Sequence, residues 1–202
     1  MVESGIFYGT FIDPILRPMR KRISGFIEPG KSVLDIACGT GAQVFELSGK
    51  VSRAAGVDLS ESMIQKALKS KSKKKSENTF FSVGDAGNLT QFRKNEFDIA
   101  MMSLALHQFT PKMYTSVLGE MKRVSQKIII VDYAIPLPQG YVRVGSRWAE
   151  FMAGREHYRN FKSFGKNGGL NSILIQNGLV IEKSVLFGRD TFQLVICSPV
   201  HK

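Results

Sequence analysis

A short apolar run ending in two closely spaced glycines, Val33-Leu34-Asp35-Ile36-Ala37-Cys38-Gly39-Thr40-Gly41, constrains this chain more than any other stretch. Such a run reads as a buried strand. Gly39 and Gly41 let the backbone turn tightly against a ligand, and the helix starting near Ala42 aims its N-terminus at that ligand. A second strand then closes at Gly56-Val57-Asp58-Leu59-Ser60. The spacing of Asp58 from the glycine turn suits a carboxylate that accepts hydrogen bonds from both hydroxyls of a ribose, at the carboxyl edge of a parallel sheet. A nucleoside ligand follows.

What the turn lacks narrows the nucleoside. A dinucleotide fingerprint needs a third glycine for close packing of helix on strand, and Val44 holds that place. Asp35 would repel a pyrophosphate and attract a cationic amino-acid group. The segment Asp35-Ile36-Ala37-Cys38-Gly39-Thr40-Gly41 resembles motif I of the class I S-adenosylmethionine (SAM) methyltransferases, and Asp58 falls where that family keeps its ribose-binding acid. Gly84-Asp85-Ala86, after the apolar run Phe80 to Val83, is similar to the family's adenine-binding turn. The resemblance extends from about Tyr8 to Ser198. It implies SAM as cofactor and S-adenosylhomocysteine as product, held by Asp35, Ala37, Cys38, Gly39 and Gly41 of the first turn. Asp58 and Leu59 of the second, Asp85 and Ala86 of the third, and Ser103 after strand 4 complete the implied set. Ala37 departs from the glycine many members carry, but its methyl group is small enough that no loss of binding is expected.

The rest of the chain alternates strands and helices. Ile6 to Phe26 shows helical spacing broken at Pro14 and Pro18, which predicts a helical cover over about residues 6–28. Strands are expected at Ser32–Ala37, Arg53–Asp58, Thr79–Val83, Phe97–Ser103 and Lys127–Tyr133, and a closing hairpin at Leu179–Leu186 and Thr191–Cys197. Helices are expected at Ala42–Leu47, Glu61 to about Lys71 with Ser60 as N-cap, Tyr114–Val124 and Leu170–Gln176. The pattern alone gives a mostly parallel α/β sheet. The resemblance implies a Rossmann-like seven-stranded sheet of order 3-2-1-4-5-7-6 with helices on both faces and only the last-added strand antiparallel. At 202 residues and 43% hydrophobic, the chain suits one domain over residues 1–202. The long connection Ala134–Gly169, rich in aromatic and basic residues, reads as a substrate lid.

Cys38 and Cys197 lie on different elements, and sparse cysteine use suits free thiols in the cytoplasm. The three histidines are too scattered for a metal cluster. No segment approaches the ~20 apolar residues of a membrane span, and a cytoplasmic protein is expected.

Methyl transfer from a sulfonium asks mainly for positioning and exclusion of water. A general base is optional. His107, in Leu104-Ala105-Leu106-His107-Gln108-Phe109 after strand 4, resembles the family's segment near the transferred methyl group, and His157 and Tyr158 are placed in a loop of the lid. His107 or Tyr158 could take or orient an acceptor proton, with no choice between them from sequence. Asp98 sits early in strand 4 and reads as structural. Net charge is +11, and Lys66, Lys69, Lys71, Lys73, Lys74 and Lys75 gather around the end of the second helix. Such a run is ordinarily a solvated face, and its alternative is an anionic partner such as RNA. Strand 4 ends in Ser103-Leu104-Ala105-Leu106-His107, without the signature of the amino-directed nucleic-acid methyltransferases, so a small-molecule acceptor leads. The segment Glu120–Asp132 is similar to the small-molecule and quinone-type branch, although Ser125-Gln126 replaces that branch's usual P-G-G turn. An RNA methyltransferase and a SAM-binding protein without transferase activity remain the alternatives.

Overall fold

The computed structural model describes residues 16–138 and 154–200. Seven strands form one sheet: β1 (Ser32–Ile36), β2 (Arg53–Asp58), β3 (Thr79–Val83), β4 (Phe97–Ser103), β5 (Ser125–Tyr133), β6 (Leu179–Phe187) and β7 (Phe192–Pro199). Their order is β3-β2-β1-β4-β5-β7-β6. The four pairings from β3 to β5 are parallel, and β7 runs antiparallel to both β5 and β6. This is the expected Rossmann-like order, with the last-added strand reversed.

Period-two alternation splits the strand residues between two apolar layers. Val33, Ile99, Met101, Ile129 and Val131 face α1 (Arg17–Gly25) and α2 (Ala42–Leu47). Leu34, Ile36, Ala100, Met102, Ile128 and Ile130 face α4 (Pro111–Val124), α5 (Arg155–Lys166) and α6 (Gly169–Gln176). α3 (Glu61–Lys74) packs beside β2 and β3. Every central strand is therefore covered on both sides, which is why these strands read as unbroken apolar runs.

Several boundaries differ from the expectation. α4 starts at Pro111, because proline's missing N–H costs nothing in the first turn. α3 reaches Lys74, where Lys75 takes a left-handed φ of 51° and its N–H closes onto the Lys71 carbonyl. Ser60 supplies no side-chain cap; its hydroxyl faces Ser62 and its N–H is held by Asp58. His157 and Tyr158, expected in a loop, lie on α5. That helix has Phe161 and Phe164 on its buried face, and its charged composition masks this stripe in sequence. Of the expected lid, residues 139–153 lie outside the described residues, as does the part of the N-terminal cover before residue 16. Asp98 accepts two hydrogen bonds from Ser32, N–H and hydroxyl, both at 2.7 Å. These bonds tie β4 to β1 at their amino ends and hold the Asp98 carboxyl below its ordinary range, which is the structural role expected of it.

Candidate functional site

The turn after β1 is built by three constraints. The N–H of Cys38 donates to the Val57 carbonyl at 3.0 Å, fastening the turn to β2. Gly41 holds φ 76° at the start of α2, and a Cβ there would lie 2.4 Å from the Phe81 ring. No other residue lets α2 sit this close to the sheet. Ala37 adopts φ 59°, a left-handed conformation that a side chain disfavours. The strain of this departure from glycine is therefore in the backbone and not in the space its methyl group takes. Ala37→Gly is expected to raise stability by roughly 0.5–1 kcal/mol, net of glycine's larger unfolded-state entropy. Thermal unfolding reads this as a gain of roughly 1–4 °C, and a fall in Tm would contradict it.

Asp58 closes the far side. Its Oδ2 accepts the Gly39 N–H at 2.7 Å and its Oδ1 accepts the Ser60 N–H at 2.9 Å. Both carboxylate oxygens are thereby fixed at the mouth of the glycine turn, each with a lone pair still free for a ligand. Asp35, 2% exposed, lies beneath them, and its Oδ1 has no hydrogen-bond partner. Burial, and after it the charge of Asp58, pushes the Asp35 carboxyl up to about 8. A buried carboxylate oxygen without a partner is costly unless a ligand supplies one, and the ligand it suits is a cation.

These groups border a cavity of about 620 Å³ at the carboxyl ends of β1, β2 and β4. Of the residues implicated by sequence, Asp35, Ala37, Cys38, Gly39, Asp58, Leu59, Ser103 and His157 line it. Gly41 instead packs against Phe81. Asp85 and Ala86 lie outside the cavity lining: Asp85 is exposed, with its Oδ1 accepting the Gly87 N–H, and Ala86 is buried in the core. Tyr158 is carried on α5 under the Lys162 ammonium, 5.7 Å from the ring centre. His107 is 1% exposed behind the wall, where its Nδ1 lies 2.6 Å from Asp132 Oδ1.

Two buried polar residues of the lining belong to no sequence motif that signals a site. Arg20 on α1 and Gln43 on α2 are both buried at the cavity, and the Gln43 amide donates to the Arg20 carbonyl at 3.5 Å. The available signal was positional: each polar residue occurs among apolar neighbours on the inner face of its helix, Arg20 between Met19 and Ile23, Gln43 beside Val44 and Leu47. Cys38 also lines the cavity, but burial and the charges of Asp35 and Asp58 push its thiol up, so it is a poor nucleophile. Cys197 is raised to about 12, chiefly by burial. No group of three His, Cys, Asp or Glu side chains suited to a metal occurs among the described residues, and no helix among them is long and apolar enough to cross a membrane.

Residues 27–163 match the profile of the Methyltransferase domain family. The chain belongs to this methyltransferase-domain family. It is 37% identical over 113 residues to a demethylmenaquinone methyltransferase of Lactococcus lactis, a match covering 53% of this chain and 44% of that protein. An uncharacterized methyltransferase of Synechocystis is 27% identical over 84% of this chain and 76% of its own length. The chain spans about half the length of the demethylmenaquinone methyltransferases it matches. Among solved structures, a SAM-dependent methyltransferase from Aquifex aeolicus superposes with a TM-score of 0.64 at 19% identity, covering 91% of this chain and 90% of that one. Magnesium protoporphyrin IX methyltransferase from Synechocystis, solved with S-adenosylhomocysteine, gives 0.63 at 16% identity, over 93% and 83% of the two chains. At these identities the structures speak for the fold.

Proposed function

We propose that this chain moves a methyl group from SAM to a small-molecule acceptor, and that one observation carries the reading: a buried Asp35, its Oδ1 without a hydrogen-bond partner, beside Asp58 in the cavity at the strand ends. The residues fit SAM group by group. Asp35 takes the amino group of its amino-acid end. Asp58 takes the ribose hydroxyls, and Leu59, 74% exposed beside it, offers an apolar surface to the base. Asp85 and Ala86 stand outside the cavity lining and are not part of this proposal. When bound, SAM supplies a methyl group on a sulfonium, an electrophile with its leaving group already in place.

The chain's own residues then orient the acceptor and exclude water. Ser103, Leu104, Ala105 and Gln108 form the wall after β4, and His157 reaches the cavity from α5. Of the three side chains named from sequence near the acceptor, His157 lines the cavity, and it rather than His107 or Tyr158, the two first considered for the proton, is our candidate for meeting the acceptor. His107 and Tyr158 stand outside that lining.

A reduced naphthoquinone is the first acceptor to test, because the Lactococcus lactis relative and others matched here are demethylmenaquinone methyltransferases. The experiment uses SAM with a radiolabelled methyl group, dihydroxynaphthalene and purified protein. Label in the organic phase, dependent on Asp58, supports the reading. Tight SAM binding without transfer to any small acceptor would favour a binding protein instead.

The lysines test the RNA alternative. Lys73 lies twelve residues beyond Glu61 on α3, about 18 Å along the axis, which exceeds a Debye length of ~10 Å. Two members of the run do more than face water. The Lys71 ammonium donates to the Thr79 carbonyl and sits 4.8 Å over Phe80, and Lys74 sits 5.6 Å over Phe45. The solvated face expected of the run therefore applies to Lys69, Lys73 and Lys75, which are exposed. Replacing these three with glutamine is expected to change turnover of a small acceptor by less than about twofold. Submicromolar binding of mixed-sequence RNA that weakens steeply with salt and disappears in the variant would overturn the small-molecule assignment.

A further inference from the structure

The wall between cavity and core contains a buried pair that the reaction itself does not touch. Asp132, fully buried near the end of β5, accepts three hydrogen bonds. They come from the His107 N–H at 3.0 Å, His107 Nδ1 at 2.6 Å and the Tyr133 N–H at 2.8 Å. Two of the three come from the short helical turn Leu106–Gln108 that leaves β4.

That turn begins under strain. Leu104 has φ 52°, unfavourable for a bulky side chain, and such a conformation persists only where its surroundings over-determine it. Here the Leu104 N–H donates to the Val131 carbonyl at 2.8 Å, and the Gln108 amide donates to the Leu104 carbonyl at 2.8 Å. Asp132 fixes the next turn of backbone through His107. Leu104, Ala105 and Gln108 all line the cavity.

The same turn carries α5. Asn160 donates to the Gln108 carbonyl at 2.7 Å, and the rings of Phe161 and Phe164 meet the His107 imidazole edge to face at 6.0 and 6.4 Å. His157, Asn160, Phe161 and Phe164 are spaced by three and four residues and so share one face of the helix. The first of them reaches the cavity, and the other three rest on the turn.

We propose that Asp132 and His107 are positioning residues, a buried pair that locks the strained wall after β4 and, through Asn160, Phe161 and Phe164, aims His157 into the cavity. His107 thereby acts through α5 and does not exchange a proton with the acceptor. The proposal rests on the reading of this cavity as the donor site.

The test uses S-adenosylhomocysteine as probe on wild type, Asp132→Asn and His107→Asn. Calorimetry gives its affinity, and ring-nitrogen NMR reports the state of His107 and the response of His157. Hydrogen exchange maps α5. In wild type, His107 carries its proton on Nδ1 and the His157 resonances shift on binding. In Asp132→Asn, affinity stays within about threefold, because Asp35 and Asp58 are untouched. Amide protection across residues 157–164 falls about tenfold or more while β1 and β4 keep theirs, and the His157 shift on binding shrinks. His107→Asn keeps an N–H within reach of Asp132 but removes the ring, so α5 loosens there too; this variant decides the matter if Asp132→Asn does not fold. Unchanged protection of α5 in a folded variant overturns the proposal. A uniform fall across the whole sheet also overturns it, since that is a stability role only. If wild type fails to bind the probe, the donor-site reading falls; if it binds and His157 does not respond, only the positioning role falls.

Discussion

Asp58→Ala is expected to weaken SAM binding by roughly 30-fold to 1000-fold, the equivalent of about 2–4 kcal/mol for two charge-assisted hydrogen bonds to a ribose. The structure sharpens the reason. The Gly39 and Ser60 N–H groups hold the carboxylate from two sides at 2.7 and 2.9 Å, so its oxygens are oriented before any ligand arrives. Little ordering cost remains to be met on binding. The substitution also leaves two backbone donors without an acceptor, so the turn itself loosens and the loss should fall toward the upper part of that range. Calorimetry on the folded variant decides it. Affinity within threefold of wild type would mean that Asp58 does not hold the ribose.

The parts of the site that are local in sequence could be read from it. Val33 and Leu34 sort to opposite faces of the sheet because strand alternation is a property of neighbouring residues. The glycine turn is legible for the same reason: the left-handed φ of Gly41 is a local demand that glycine answers, whereas the approach of Phe81 that also requires it comes from a strand distant in sequence. The pair of Asp132 and His107 was not legible. The two residues are 25 apart, and their meeting depends on β5 lying beside β4 in one register, with Ser103 opposite Val131. His107 was noticed for its position after β4, but whether it faced the cavity or the core is decided by that register.

α5 was missed by a different route. Arg155, Glu156, Arg159 and Lys162 make the segment look solvated, and its inner stripe of Phe161 and Phe164 is short. A helix with one narrow apolar face and a heavily charged outer face falls below the usual contrast between core and loop. Arg20 and Gln43 were hidden by the reverse effect. They are polar residues on inner faces, where propensity and hydropathy both predict apolar ones, and both border the cavity.

Asp35 provides the second large effect, and it is a proton effect. Its carboxyl is raised to about 8 by burial and then by Asp58. An acid raised in the folded state keeps a proton that the unfolded chain has already lost. Asp35 therefore lowers stability progressively as pH climbs from the unfolded carboxylate range near ~4 to about 8, and its full penalty applies above that. A cationic amino group placed against it reverses the balance, because the carboxylate is then the favoured form. At pH 7 the free protein has Asp35 mostly protonated, while the ligand's α-amino group, with a pKa of about 7.7–8.0, is mostly charged. Binding SAM at that pH should release close to one proton per site, and affinity should rise between about pH 6 and 7.5. Near pH 8 and above, the release should vanish and then change sign, as the amino group begins to need a proton in order to bind. Calorimetry in two buffers of different ionisation enthalpy measures the proton count directly. Asp35→Asn should abolish the release at pH 7 and weaken binding by roughly 10-fold to 150-fold, as a hydrogen bond to a charged group is worth about 1.5–3 kcal/mol. No proton release by wild type at pH 7, together with an Asp35→Asn variant that binds as tightly, would remove Asp35 from the cofactor site and leave its burial without a functional cause.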